Sequence, residues 1–149
     1  MPERPAAGAT FMGFDYGTRR IGVAIGQSLT GTASPLAAIA ARDGAPDWDA
    51  ITRLVEEWRP AAFVVGIPYN MDDSRQEMTD RAERFSRQLH GRFHLPVHAV
   101  DERLSSHEAE ERLRTARQEG RRGRLLKPEI DSAAACVLLE TWLASYERS

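Results

Sequence analysis

The sequence has almost no cysteine, and this absence sets the first limits on the protein. Its 149 residues include one cysteine, Cys136, which lies among apolar residues typical of a helix. One thiol cannot build an intramolecular disulfide framework, so we expect a reducing, cytoplasmic compartment and a small buried side chain at this position. Long apolar runs are also missing, so no segment is predicted to span a membrane.

A strong net charge and internal repeats are missing as well. The net charge is −2, so the overall charge does not indicate a nucleic-acid partner. The serines have no neighbouring histidine or aspartate in a known nucleophile and base pattern, which disfavours catalysis through a covalent intermediate. The length fits one domain. We expect a flexible tail over residues 1–9 and a single folded domain over residues 10–149.

Apolar patterning predicts five strands. Two of them lie within Thr10–Gln27 and form a hairpin, and a third over Thr32–Ala41 contains Pro35, which places it at a sheet edge. The continuous apolar run Ala61–Ile67 is typical of a strand covered on both faces, and Val97–Val100 follows as the fifth strand.

Helical spacing predicts four helices between and after these strands. Asp47 caps the first, which ends before Pro60, and the second follows the polar loop 68–75. Ser105 or Ser106 caps a third helix, and the last runs from about Pro128 to near Ser145. The predicted fold class is therefore α/β, with a five-stranded mixed sheet flanked by helices.

Asp15, at the inner end of the first strand, is the first candidate for chemistry. An ionised carboxylate among buried neighbours needs a positive partner, or its pKa rises. The sequence offers two solutions: an ion pair with Arg19 or Arg20, or a divalent cation held together with other carboxylates. An aspartate before a glycine turn is also ordinary turn chemistry.

Two other acidic positions are candidates to join Asp15. Asp101 and Glu102 follow the fifth strand, at the end of an α/β sheet where ligand sites collect. Asp131 heads the inward face of the last helix, although an acid there also complements the helix dipole. Three such carboxylates cannot all remain ionised in close contact without cations. Mg²⁺ or Mn²⁺ would solve this and would support phosphodiester hydrolysis.

Four blocks of the sequence together resemble the signature blocks of the YqgF/RuvX family. In chain order they are MGFDYGTRRIGVAIG, VVGIPYNMDDS, VDERLSSHEAE and KPEIDSAAACVLLETWL. The resemblance implies a ribonuclease H-like fold related to RuvC-type Holliday junction resolvases, and a nuclease that trims the 5′ end of the precursor of 16S ribosomal RNA. It also implies that Asp15, Glu102 and Asp131 are catalytic and bind Mg²⁺ or Mn²⁺, with Asp101 as a neighbouring metal ligand.

The chain departs from its relatives at a few positions. The fourth strand ends in Gly66-Ile67-Pro68, where resolvases tend to carry an acid, so Asp101-Glu102 becomes the substitute. Asp73 stands where the family usually has glycine, and His107 where an apolar residue is frequent. His107 is also a candidate proton shuttle.

Basic residues provide candidate contacts to a nucleic acid. Residues 112–127 contain seven basic residues and one acid. Such a segment suits phosphate contacts, although a solvated charged face is the alternative. Arg19, Arg20 and Arg103 could orient the scissile phosphate or neutralise adjacent acids. The full set of predicted nucleic-acid-binding residues is Arg19, Arg20, Asn70, Arg75, Arg103, Arg121, Arg122, Arg124 and Lys127.

The sequence leaves the substrate open. A metal-dependent nuclease acting on pre-rRNA is the favoured reading, with ribosomal particles as further candidate partners. The alternatives are a Holliday junction resolvase-type DNA endonuclease and a non-catalytic nucleic-acid-binding module for ribosome assembly. A sugar-kinase-like phosphotransferase shares the opening hairpin but needs two such lobes, which one short domain does not provide.

Overall fold

The computed structural model describes residues 8–104, 108, 110–112, 114, 115, 118 and 132–147. In chain order the elements are β1 (Thr10–Asp15), β2 (Arg20–Gln27), β3 (Thr32–Arg42), β4 (Ala45–Pro46), α1 (Trp48–Trp58), β5 (Ala62–Ile67), α2 (Glu77–Phe93), β6 (Val97–Asp101), a 3-10 turn (Glu102–Leu104) and α3 (Ala133–Glu147). The described residues between 108 and 118 are helical, as predicted.

The strands form one mixed sheet in the order β4-β3-β2-β1-β5-β6. β1 is antiparallel to β2 and parallel to β5, and β5 is parallel to β6. The carboxyl ends of β1, β5 and β6 therefore meet at one edge of the sheet. The predicted mixed α/β sheet is confirmed, with six strands in place of five, because the pair Ala45–Pro46 adds a short sixth strand that two residues could not signal in the sequence.

Pro35 occupies a position where the missing N–H is harmless. It pairs with Ala24 of β2 on one side, while β4 covers β3 only at Ala41 and Arg42. The sheet partner that would need the proline N–H is thus absent from this part of the ladder. The predicted edge character of β3 holds along this stretch, although β4 makes β3 the second strand of the sheet.

Two apolar layers cover the two faces of the sheet. One contains Phe14, Ile51, Phe63 and Phe85 and packs against α1 and α2. The other contains Phe11, Val64, Val100 and several α3 side chains. β5 lies between both layers, and all six of its residues are buried, as its continuous apolar run predicts.

Helix α3 approaches the sheet closely because its neighbours in the strands are glycines. A Cβ atom at Gly13 would lie 3.0 Å from Leu139 Cβ, and one at Gly66 would lie 2.5 Å from Leu138 Cδ1. α3 is buried on several sides, with Ala133, Ala135 and the predicted Cys136 all less than a tenth exposed. The start of α3 is thereby held against the middle of the sheet.

The first helix follows its sequence signals. The Asp47 Oδ1 atom accepts a hydrogen bond from the Ala50 amide at 3.2 Å, and Arg59 ends α1 in the left-handed conformation before Pro60. Across the parts of the chain that the structure describes, none of the helices combines the length and apolar character needed to cross a bilayer.

Candidate active site

Asp15 lies at the carboxyl end of β1, on the side of the sheet that faces α3. Successive side chains of a strand point to opposite faces. Gly13 faces Leu139 of α3, whereas Phe14 packs in the layer with α1 and α2. Asp15 follows the same alternation as Gly13, so its carboxyl points toward the side of the sheet where α3 begins.

Glu102 reaches the same place from β6. Val100 packs in the α3 layer, and Glu102, two residues later, continues on that face. The Glu102 and Asp15 side chains are hydrogen-bonded to each other. Asp101 points the other way. Of the two adjacent acids that end β6, the structure therefore brings Glu102 to Asp15.

The two carboxyl groups perturb each other. Burial raises the pKa of Asp15 above its usual value, and the hydrogen bond with Glu102 offsets part of that rise. The pKa of Glu102 is raised to about 8. Burial is the largest cause, and the hydrogen bond with Asp15 and the negative charges of Asp15 and Asp101 also contribute. At neutral pH Glu102 therefore keeps its proton and donates a hydrogen bond to the Asp15 carboxylate. Among the residues that the structure describes, no arginine is a cause of the shift in the pKa of Asp15.

This donor set fits a divalent metal ion. Carboxylate oxygens are preferred ligands of Mg²⁺ and Mn²⁺. A cation would replace the shared proton and favour the ionised form of both acids. Within residues 8–104 and the described positions beyond them, no group of three potential ligands is present. The predicted third ligand, Asp131, lies outside the described residues.

Ser132 is a structural residue of the site that the sequence reasoning missed. The β2–β3 register shifts between Ile21 and Val23. The Val23 amide donates to the Ser132 Oγ atom at 3.0 Å, and this hydroxyl donates to the Leu36 carbonyl at 2.8 Å. Ser132 is fully buried. These hydrogen bonds hold the start of α3 close to the point where Asp15 of β1 pairs with Gly22 of β2. Its position next to Asp131 was the only available signal.

Arg103 binds Asp101 and closes the neighbouring loop. Its Nε atom donates to Asp101 Oδ1 at 3.0 Å, and its Nη2 atom donates to Asp101 Oδ2 at 2.7 Å. Its Nη1 atom donates to the Asn70 carbonyl and to Asp73 Oδ1, both at 2.8 Å. The hydrogen bond from Arg103 lowers the pKa of Asp101. Of the two roles the sequence left open for Arg103, neutralisation of acids is the one its donors serve.

Asn70 and Arg75 are also used within the protein. The Asn70 side chain donates to Ser74 Oγ at 2.9 Å and helps to close the loop after β5. Arg75 forms ion pairs with Asp80 and Glu83 of α2. These contacts give both residues structural roles in the loop.

The remaining predicted contacts to nucleic acid fall into two groups. Arg19 and Arg20 are exposed at the start of β2, on the sheet edge that carries Asp15. Arg112, the first residue of the basic segment, pairs with Glu140 of α3 at 3.0 Å. The other predicted positions lie outside the described residues: Arg121, Arg122, Arg124, Lys127 and the proton-shuttle candidate His107.

The fold is shared with Holliday junction resolvases. RuvC of T. thermophilus, solved in complex with a Holliday junction substrate, matches with a TM-score of 0.54 and 15% identity, over 95% of this chain and 97% of its own. A Fowlpox virus resolvase, solved with Holliday junction DNA, matches with a TM-score of 0.58 and 12% identity, over 92% and 98% of the two chains. These likenesses confirm the predicted ribonuclease H-like fold.

A closer relationship appears at the level of sequence. The family model described as "RuvX: Holliday junction resolvase" matches residues 9–145. A relative from Azotobacter vinelandii is 54% identical, over 89% of this chain and 92% of its own, and one from Legionella pneumophila is 50% identical, over 92% and 96%. Both carry the name "Putative pre-16S rRNA nuclease". The chain belongs to the RuvX family, as its four sequence blocks predicted, and this membership supports a phosphodiester-hydrolysing enzyme.

Proposed function

We propose that the protein is a divalent-metal-dependent nuclease whose metal ligands are Asp15, Glu102 and Asp131. The observation that supports this most directly is the contact between the Asp15 and Glu102 carboxyl groups, both with a raised pKa, at the carboxyl ends of β1 and β6. Two acids held together at a cost in electrostatic energy are typical of functional sites. Asp101 is left out of the ligand set because its carboxylate faces Arg103.

The position of Ser132 supports Asp131 as the third ligand. Ser132 is hydrogen-bonded to Val23, which pairs with Phe14 next to Asp15. Asp131 directly precedes Ser132 in the sequence. We therefore propose Asp131 as the ligand that joins Asp15 and Glu102.

The acidic side chains of the proposed site favour the binding of a cation. Bound Mg²⁺ or Mn²⁺ would activate water and stabilise the leaving oxygen of a phosphodiester. Without a bound cation, Asp15 and Glu102 share one proton in a hydrogen bond. With a cation bound, both carboxyl groups would be ionised ligands. The Arg103 ion pair keeps Asp101 directed away from this pair.

We propose that the substrate is the 5′ end of pre-16S rRNA and that the enzyme acts in the cytoplasm. The support is the name of relatives that are 50 to 54% identical over almost the whole chain. Arg19, Arg20 and the basic residues Arg121, Arg122, Arg124 and Lys127 are the proposed phosphate contacts, which hold the substrate without reading its sequence.

Cleavage of a DNA four-way junction is the second candidate function. It is favoured by the family description as a Holliday junction resolvase. A hydrolytic metal site can act on either backbone, so a direct comparison of substrates decides between the two.

The metal site is tested first by binding without catalysis. Titration of the metal-free protein with Mg²⁺ or Mn²⁺ should raise its melting temperature, because a ligand that binds only the folded state stabilises it. At 100 times the dissociation constant the rise should be roughly 5 to 10 °C. Asp15→Asn should abolish most of the rise, and Asp49→Asn, in the exposed first turn of α1, is the matched control. An equal rise in Asp15→Asn would refute the proposed site.

Activity is tested with two substrates in parallel. Wild-type protein, Asp15→Asn and Asp49→Asn are incubated with Mn²⁺ and either a pre-16S rRNA fragment with its 5′ extension or a DNA four-way junction. RNA cleavage by wild type and Asp49→Asn alone is the expected result. Junction cleavage alone would establish the second candidate. Cleavage by Asp15→Asn as well would reveal a contaminant, and no cleavage would favour a non-catalytic binding module.

A further inference from the structure

A cavity of about 400 Å³ lies on the opposite face of the sheet from the acid pair. Its walls come from the β3–β4 turn, the start of α1 and one side of α2. The lining residues that matter here are Tyr16, Gly44, Trp48, Arg81, Arg84 and Gln88. The volume falls in the range of pockets that hold small ligands.

The aromatic side of the cavity is fixed by packing against the core. The Tyr16 ring lies 5.2 Å from the ring of buried Phe85, and its hydroxyl donates to the Gly44 carbonyl at 2.5 Å. The Trp48 ring stacks on the same Phe85 at 5.7 Å. These contacts hold the wall in one conformation, so a ligand would meet a preformed site.

The opposite side carries positive charge. Arg81, Arg84 and Gln88 follow at steps of three and four along α2, so they share one face of the helix. Arg81 pairs through Nη2 with exposed Glu77 at 2.9 Å. Its Nη1 atom reaches the turn: a Cβ atom at Gly44 would lie 2.9 Å from it. Among the described residues, Arg84 has no ion-pair partner.

The lining is suited to a phosphate group. Two guanidinium groups and the Gln88 amide provide N–H donors, and arginine binds phosphate through paired hydrogen bonds. The one acid on the lining, Asp43, lies exposed in the turn, so the two arginines outnumber it.

The cavity and the acid pair are joined across the sheet edge. Asp15 and Tyr16 are consecutive, and they point to opposite faces. The Gly44 amide donates to the Thr18 carbonyl at 3.0 Å, and the Ala41 amide donates to the Arg19 carbonyl at 2.9 Å. The β3–β4 turn that walls the cavity is thus hydrogen-bonded to the segment that follows Asp15.

We propose that this cavity binds a backbone phosphate of the same nucleic-acid strand whose scissile bond lies at the acid pair. Arg81 and Arg84 hold that phosphate, and the strand crosses the sheet edge beside exposed Arg19. This subsite rests on the proposed nuclease function. It would fix the direction of the strand and the distance from the held phosphate to the cleaved bond.

The subsite is tested by binding, in a background that cannot cleave. The full chain carrying Asp15→Asn is titrated with a fluorescent single-stranded RNA at several salt concentrations. Adding Arg81→Gln and Arg84→Gln should weaken binding about tenfold or more, since two charged hydrogen-bond donors are lost. The slope of log affinity against log salt should flatten by about 0.7 for the lost phosphate contact.

Two matched variants separate the cavity from general charge. Arg87→Gln removes one positive charge, as each of the two cavity substitutions does, from an exposed position of α2 that does not line the cavity, and it should leave affinity and slope nearly unchanged. Ala45→Trp, on the cavity wall, should weaken binding without a change in charge. Equal effects of Arg87→Gln and the double substitution would overturn the proposal.

A free nucleotide is the other source of the same phosphate chemistry. Adenosine monophosphate should compete with the RNA only weakly, because it offers one phosphate and no strand. Competition as tight as that of the RNA would overturn the strand subsite. Failure of the nuclease proposal would look different, since wild type would then leave the RNA intact while the Arg81 and Arg84 effects on binding remained.

Discussion

Two groups of acids lie at the same edge of the sheet and differ in what faces them. Asp15 and Glu102 face each other, and their pKa values are raised. Asp101 faces Arg103, and its pKa is lowered. Glu102 and Asp101 are adjacent in sequence, so composition alone does not separate them. The alternation of side chains at the end of β6 sends one acid toward α3 and the other toward the loop after β5.

This difference separates the proposed metal site from a structural contact. An acid bound to arginine is already neutralised and gains little from a cation. Two acids that share one proton can exchange that proton for a metal ion. The Arg103 contacts also hold the loop after β5, which lies at the same end of the sheet as the Asp15 and Glu102 pair.

The largest predicted effect concerns catalysis by the two adjacent acids. Glu102→Gln should lower the rate of cleavage at least about 100-fold, because it removes a charged ligand of the proposed metal site. Asp101→Asn should lower it less than about tenfold, since only the Arg103 contact weakens. Single-turnover rates with Mn²⁺ measure both. Equal losses in the two variants would end the distinction between them.

Removal of the Ser132 hydroxyl should come next in size. Ser132→Ala leaves the buried Val23 amide and Leu36 carbonyl without this partner and should cost about 1 to 3 kcal/mol of unfolding free energy. Ser86→Ala, which removes a hydroxyl bonded within α2, should cost under about 0.5 kcal/mol. Urea unfolding measures both variants. If Ser132 positions the acid site, its variant should also bind Mg²⁺ more weakly than Ser86→Ala does.

The raised pKa of Glu102 predicts how the stability of the protein depends on pH. The pKa of Glu102 is about 8 in the folded protein, above its usual value of 4.5, so the folded protein binds more protons between these values. The stability of the metal-free protein should therefore fall as pH rises from 4.5 toward 8. Glu102→Gln should flatten this decline in urea midpoints. A decline of the same size in the variant would assign it to other groups.

The arginine contact should give the opposite sign and the smallest effect. The lowered pKa of Asp101 means that its stabilising contribution is present above 3.8 and is lost as pH falls through the folded value. Arg103→Gln should lower stability at neutral pH and reduce the further loss in acid. Arg103→Lys should be intermediate, because it keeps the charge without the paired hydrogen bonds. Melting temperatures of wild type and both variants, measured between pH 3 and pH 7, check this prediction.

The sequence predicted the strands and helices well where the patterns are long. The continuous run of β5, the Asp47 cap and the edge character at Pro35 all appear in the structure. The two-residue strand β4 escaped prediction, because its pairing depends on a turn at Asp43 and Gly44 and on their contacts with a distant segment.

The sequence predicted which acidic residues form the candidate site, but it did not predict how they are arranged in space. Sequence blocks singled out Asp15 and Glu102, but their hydrogen bond depends on the order β1-β5-β6 and on the register of three strands. The roles of Arg103 and Arg75 stayed open in the sequence because a guanidinium binds a carboxylate or a phosphate through the same donors. Apart from its position next to Asp131, Ser132 gave no signal, because its partners lie beside an irregularity between β2 and β3.

The sequence by itself determined the family, the α/β class and the acidic residues available for chemistry, since these depend on local patterns and on motif identity. Only the tertiary structure decided which acid meets which partner. Burial, pKa and hydrogen bonding depend on distances between residues far apart in the chain, and packing of the sheet and α3 sets those distances. The cavity lined by Tyr16, Arg81 and Arg84 belongs to this second category, because its wall joins a turn, a helix start and a helix face that are separate in sequence.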